Sequence, residues 1–133
     1  MTTPASGTTL GKEERLSGRE LISAVVKSGR SVNVAPFRLM GLITELGTDS
    51  TAQVAFSIPK RNVKRAVVRN RIRRLMREAY RTEKERLHAP LRATGKQCAW
   101  LFVYQGRTPV DLAETRRKIS AAIERWLQQH LPA

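Results

Sequence analysis

Residues 52–81 read AQVAFSIPKRNVKRAVVRNRIRRLMREAYR, and two periodicities meet within them. Ala52, Val54, Phe56 and Ile58 alternate with other residues, as in a strand with one face on a core. Pro59 closes that strand. From about Ala66 to Leu87 the apolar spacing becomes helical. Val68, Ile72, Leu75, Met76, Ala79 and Tyr80 fall on one side of a helix projected at about 100° per residue. Asn70, Arg73, Arg74, Arg77, Arg81 and Lys84 fall opposite, with Arg69 and Arg71 on the flanks. A strand feeding a long amphipathic helix suggests a sheet with helices packed on it.

Working outward, Ser17 with Glu20 reads as a capping box, and Leu16 with Leu21 as a hydrophobic staple, for a first helix that Gly29 ends. Ser31–Val34 and Phe37–Glu45 read as strands separated by Pro36. Residues 46–50 read as a turn. After the basic helix, 89–95 reads as a connector. Gln97–Tyr104 reads as a strand covered on both faces. Asp111 with Glu114 opens a last helix whose stripe is Leu112, Ile119, Ile123, Trp126 and Leu127. The order is α-β-β-β-α-β-α, without internal repeats. It fits one α/β (α+β) sandwich on a mixed four-stranded sheet. Residues 1–14 read as a flexible tail, and 15–133 as a single domain.

The 133 residues carry 25 Lys and Arg against 11 Asp and Glu, a net charge of +14. The excess is concentrated. Residues 60–86 hold 12 basic and 3 acidic residues, a net +9. Arg69, Arg73, Arg77 and Arg81 stand four apart, where like charges repel by a few tenths of a kcal/mol per pair. A face built only for solubility would intersperse Glu, so the pattern points to a polyanion that relieves the repulsion. Arginine also binds phosphate oxygens in pairs, which lysine does not. Charge alone does not separate RNA from DNA.

Other chemistries find little support. One cysteine, Cys98, excludes an intramolecular disulfide and reads as a buried small hydrophobe. His88 and His130 read as surface residues. The acids are scattered, with no pair set for metal-assisted or acid–base phosphodiester cleavage. The longest apolar run, Cys98–Tyr104, is far short of a membrane span, and the tail lacks a signal-peptide pattern. These features suggest a cytoplasmic protein with no membrane partner and no metal held by protein motifs.

The run from Lys60 to Arg81, centred on Arg69-Asn70-Arg71, resembles the signature of the bacterial ribonuclease P protein subunit. The resemblance extends over roughly Arg15 to Leu131. It implies a ribosomal protein S5 domain 2-like fold with a left-handed β-α-β crossover, where the general rule is right-handed. It implies a subunit that assists a catalytic RNA, with bound Mg²⁺, in removing the 5′ leader of precursor transfer RNA. The partners are then that RNA and the precursor, and no DNA.

On the same resemblance, Lys60, Arg61, Lys64, Arg65, Arg69, Asn70, Arg71, Arg73, Arg74, Arg77 and Arg81 are the RNA-binding set. Arg15, Leu21, Val25, Phe37 and Met40 are placed in a leader-binding cleft between the first helix and the sheet. The chain departs from the family in carrying aliphatic Leu21, Val25 and Met40 where aromatics are common, and Lys64 where glycine is common. Stacking on the leader would then give way to apolar contact and phosphate steering. Three other readings stand beside this one: a ribosomal or ribosome-assembly protein, a DNA-binding module, and a protein nuclease.

Overall fold

The computed structural model describes residues 11–131. The proposed tail falls mostly on residues 1–10, outside the described residues. Its last part, residues 11–14, belongs to the fold instead. Lys12–Glu14 forms a 3-10 turn, and Leu16 N–H donates to Val54 O at 2.9 Å.

Four strands, β1 (Arg30–Val34), β2 (Phe37–Ile43), β3 (Ala52–Ser57) and β4 (Cys98–Tyr104), form one sheet in the order β1-β2-β4-β3. Only β3 and β4 run parallel, because only they are joined by a long helical crossover. The helices are α1 (Arg19–Ser28), α2 (Ala66–Thr94) and α3 (Leu112–His130). The mixed sheet and its element order match the sequence reading.

Strand alternation divides the core in two. Phe37 and Leu39 of β2, with Val32, Val54, Trp100 and Phe102, pack under α2 and α3 in the larger cluster. Met40 and Leu42, with Ala55, Ala99, Leu101 and Val103, pack under α1 in the smaller one. Central β4 is covered on both sides, as its unbroken apolar sequence requires. Gly41 lets α3 come close to the sheet: a Cβ there would lie 2.5 Å from Trp126 and 2.6 Å from Trp100.

Three local expectations fail for identifiable reasons. First, Ser17 does not cap α1. The N-cap is Gly18, with no side-chain hydrogen bond, and Ser17 lies one residue too early. Second, α2 does not stop at Leu87 but runs through Pro90 to Thr94. Burial of Leu91 outweighs the one hydrogen bond that proline cannot donate. The helix ends where Gly95 adopts φ 69° and donates to Leu91 and Arg92 carbonyls. Third, His88 is buried at 3% exposure, and its Nε2 lies 2.5 Å from the Tyr80 hydroxyl. His130 is half-buried against Trp126 rather than on the surface. Asp111, by contrast, caps α3 as its sequence indicates, accepting from Glu114 N–H at 2.8 Å.

Candidate nucleic-acid interface

The basic segment begins on a turn that is itself held in place. Asn62 and Val63 N–H groups both donate to Pro59 O at 3.1 Å, and Val63 is buried. Asn62 Nδ2 donates to Tyr104 O at 3.2 Å, tying the turn to β4. Arg69 Nη1 reaches back to Val63 O at 3.0 Å and Lys64 O at 2.8 Å. The backbone is therefore fixed while Lys60, Arg61, Lys64 and Arg65 project as exposed side chains. Sequence reading had no signal for Asn62 and Val63 as anchors. Arg69, one of the expected RNA-binding residues, has its guanidinium engaged by the backbone of its own turn.

Along α2, the expected core face holds. Ile72, Met76, Ala79 and Tyr80 are buried, and Val68 and Leu75 are half-buried. Asn70, Arg71, Arg74 and Arg77 are exposed, while Arg73 is half-buried and donates to Asn70 Oδ1 at 2.9 Å. Among the described residues, the side chains of Lys60, Arg61, Lys64, Arg65, Arg71, Arg74 and Arg77 make no hydrogen bond or ion pair. No Asp or Glu interrupts residues 60–77. Arg71, Arg74, Leu75, Arg77, Glu78 and Arg81 line a shallow groove of about 540 Å³.

Beyond Arg77 the character changes. Arg81 forks onto Glu78, Nε to Oε1 at 3.0 Å and Nη2 to Oε2 at 2.5 Å. That hydrogen bond from Arg81 holds the Glu78 carboxyl below its ordinary range. Glu83 pairs with both Arg86, at 2.9 Å, and Arg116 of α3, at 3.0 Å, and Arg86 also pairs with Glu124. Hydrogen bonds from Arg116 and Arg86 likewise hold Glu83 low. Lys84 does not belong to the exposed ridge at all. It is 1% exposed and paired with Glu14 at 2.8 Å. The open ridge thus runs from Lys60 to Arg77, and past it Arg81, Lys84 and Arg86 are engaged by carboxylates of the same chain.

On the α1 side, the structure brings Leu21, Val25 and Met40 into one apolar cluster. Leu21 and Met40 are half-buried, but Val25 is fully buried and supplies packing rather than ligand surface. Arg15 is exposed, its backbone bridged to Val54 on β3. Phe37 is not in this cleft. It is 1% exposed, lies on the other face of the sheet and packs on Tyr104 with ring centroids 5.5 Å apart. Alternation along β2 puts Arg38, Met40 and Leu42 on the α1 face and Phe37 beneath α2 and α3. Exposed Arg38, overlooked in the sequence, therefore shares the α1 face with Met40.

Among the described residues, no group of three or more His, Cys, Asp or Glu stands together as a metal site. Nor is any helix long and apolar enough to cross a membrane. Cys98 is buried, and burial pushes its thiol far up from the ordinary range.

The family model for ribonuclease P matches residues 10–129. The chain is 43% identical over 81 residues to the ribonuclease P protein component of Chlorobium phaeobacteroides, covering 59% of this chain and 56% of that protein. It is 40% identical over 91 residues to the component of Porphyromonas gingivalis, covering 66% and 64%. The matched stretches thus span under two thirds of those relatives. The fold is shared with the Staphylococcus aureus RNase P protein, at TM-score 0.67 and 17% identity over 84% of this chain and 94% of that one. It is also shared with the Thermotoga maritima protein, at TM-score 0.63 and 21% identity over 84% and 96%. With the family model spanning nearly all of the described residues, the chain belongs to the ribonuclease P family.

Proposed function

We propose that the chain is the RNA-binding protein subunit of ribonuclease P. It binds the catalytic RNA through the ridge from Lys60 to Arg77, and the 5′ leader of precursor transfer RNA on the α1 face of the sheet. The catalytic RNA, with its Mg²⁺, cleaves the leader phosphodiester in the cytoplasm. The chain's own side chains position the two RNAs and screen their mutual repulsion.

One observation carries this reading: seven exposed cations project from a rigid turn-and-helix unit, without a carboxylate between residues 60 and 77. Such a surface favours phosphate, and its bound counterions are released when RNA docks. Membership in the family supports the ribonuclease P RNA, over DNA or ribosomal RNA, as the partner of that surface.

Binding to the catalytic RNA as a function of salt tests the interface. With about six phosphates neutralised, log K against log[salt] should slope at roughly −4 to −5. Arg77→Ala should make the slope shallower by about one. A slope near zero that Arg77→Ala leaves unchanged would remove the ridge from the interface.

A further inference from the structure

The α1 face of the sheet is covered along only part of the strands. One register row runs Arg30–Gly41–Trp100–Val54 across β1, β2, β4 and β3. At this level α1 crosses. Leu16, just before it, is bonded to Val54 O, and Gly29, just after it, lies against the Gly41 carbonyl. Three residues farther along the strands, about 10 Å away, a second row runs Asn33–Arg38–Val103–Ser57. Its side chains share the α1 face, yet the helix has passed. Asn33 and Arg38 are exposed, and Val103 and Ser57 are half-buried.

Arg38 is the only charge in that row. Among the described residues its side chain has no hydrogen bond or ion pair. The row between it and α1 is Ser31–Met40–Leu101–Ala55, which holds no charge either. At the other end, Ser57 stands three residues before Lys60, so the row leads directly to the basic turn. The apolar neighbours on this face, Leu21, Met40, Leu101 and Val103, include no ring on which a base could stack. A single strand lying here is held by its charge, not by its bases.

We propose that Arg38 binds a backbone phosphate of the 5′ leader where the leader crosses the uncovered part of the α1 face. This rests on the reading of the chain as a leader-binding subunit and assigns that role to a specific cation. The grip is indifferent to base identity and sensitive to salt.

The test uses the holoenzyme reconstituted with the catalytic RNA. Affinities for a precursor with a leader and for mature transfer RNA are measured against salt, for wild type, Arg38→Gln, Arg38→Lys and Arg117→Gln. Arg117 is exposed on α3 and controls for loss of a generic charge. Arg38→Gln should weaken the precursor by roughly tenfold at low salt, the low end of the range for one lost charge-assisted contact. Its precursor slope should flatten by about 0.7, the value for one single-strand phosphate. Mature transfer RNA should be unaffected, and Arg38→Lys should retain most of the affinity. The proposal is overturned if wild type prefers the leader-bearing precursor and Arg38→Gln does so equally. It is also overturned if Arg117→Gln reproduces the loss, or if Arg38→Lys loses as much with an unchanged slope. A wild type that binds precursor and mature transfer RNA alike would instead overturn the leader-binding reading itself.

Discussion

Phe37 and Met40 are three residues apart on β2 and on opposite faces of the sheet. That odd separation decides what each can do. Phe37→Ala empties a fully enclosed site beside Tyr104 and should cost about 3–5 kcal/mol of stability. Thermal unfolding should show it, and binding of every RNA should fall together in proportion to the unfolded fraction. A stable Phe37→Ala protein that loses only leader affinity would contradict this placement.

His88 makes a second prediction at the same scale. Burial is the main cause that lowers its pKa from 6.5 to about 4, with Arg92 adding to the shift. The neutral ring shares a buried hydrogen bond with the Tyr80 hydroxyl in which either group can donate, according to the tautomer, whereas a protonated ring would bring an uncompensated charge into that buried site. The unfolded chain binds this proton below about pH 6.5, but the folded one only near pH 4. The stabilising contribution is therefore complete above pH 6.5 and is lost as pH falls toward 4. Unfolding free energy should decline across that window, with a smaller slope in His88→Asn. Equal slopes in the two proteins would show that His88 does not carry the effect.

At the scale of elements, α2 is two structures in one helix. Its first three turns present free cations. Its remainder is tied to α3 through Glu83, Arg86, Arg116 and Glu124, and to the N-terminal turn through Lys84. The Lys84–Glu14 pair is unequal, with the side chains 1% and 21% exposed. Removing the more exposed partner takes a carboxylate away from the more buried charge, whereas Lys84→Met removes that buried charge itself. Glu14→Gln should therefore destabilise more than Lys84→Met, by about 1–3 kcal/mol against less than about 1. Denaturant unfolding of the two variants checks the order, and the reverse order would contradict it.

The period of α2 was legible because its apolar positions repeat over four turns. Its end was not. Pro90 reads locally as a stop, and only the long-range burial of Leu91 keeps the helix going. Lys84 was misplaced for a related reason. Its angle on the helix points away from the sheet, but the N-terminal turn folds over that position, and no local pattern announces a contact 70 residues away. Phe37 does not share the cleft with Met40, since alternation over three residues separates them. Alternation leaves Arg38 unmarked, because it does not say which core lies on each face. That depends on strand order β1-β2-β4-β3, a property of pairing between distant segments.

For the whole molecule, the sheet separates two surfaces. The ridge emerges from the end of β3 and runs along α2, while the uncovered part of the α1 face lies on the opposite side of the strands. On the function proposed above, this division lets one small domain hold two RNAs at once, and losses at the two surfaces should be separable. The most direct measurement is cleavage of a labelled precursor transfer RNA at low Mg²⁺, with the protein alone, the catalytic RNA alone and the two together. The account predicts cleavage at the mature 5′ end only when both are present, and a reduced rate when Arg73 and Arg77 are both replaced by Ala. Robust cleavage by RNA-free protein, or no gain on adding the protein to the catalytic RNA, would contradict it.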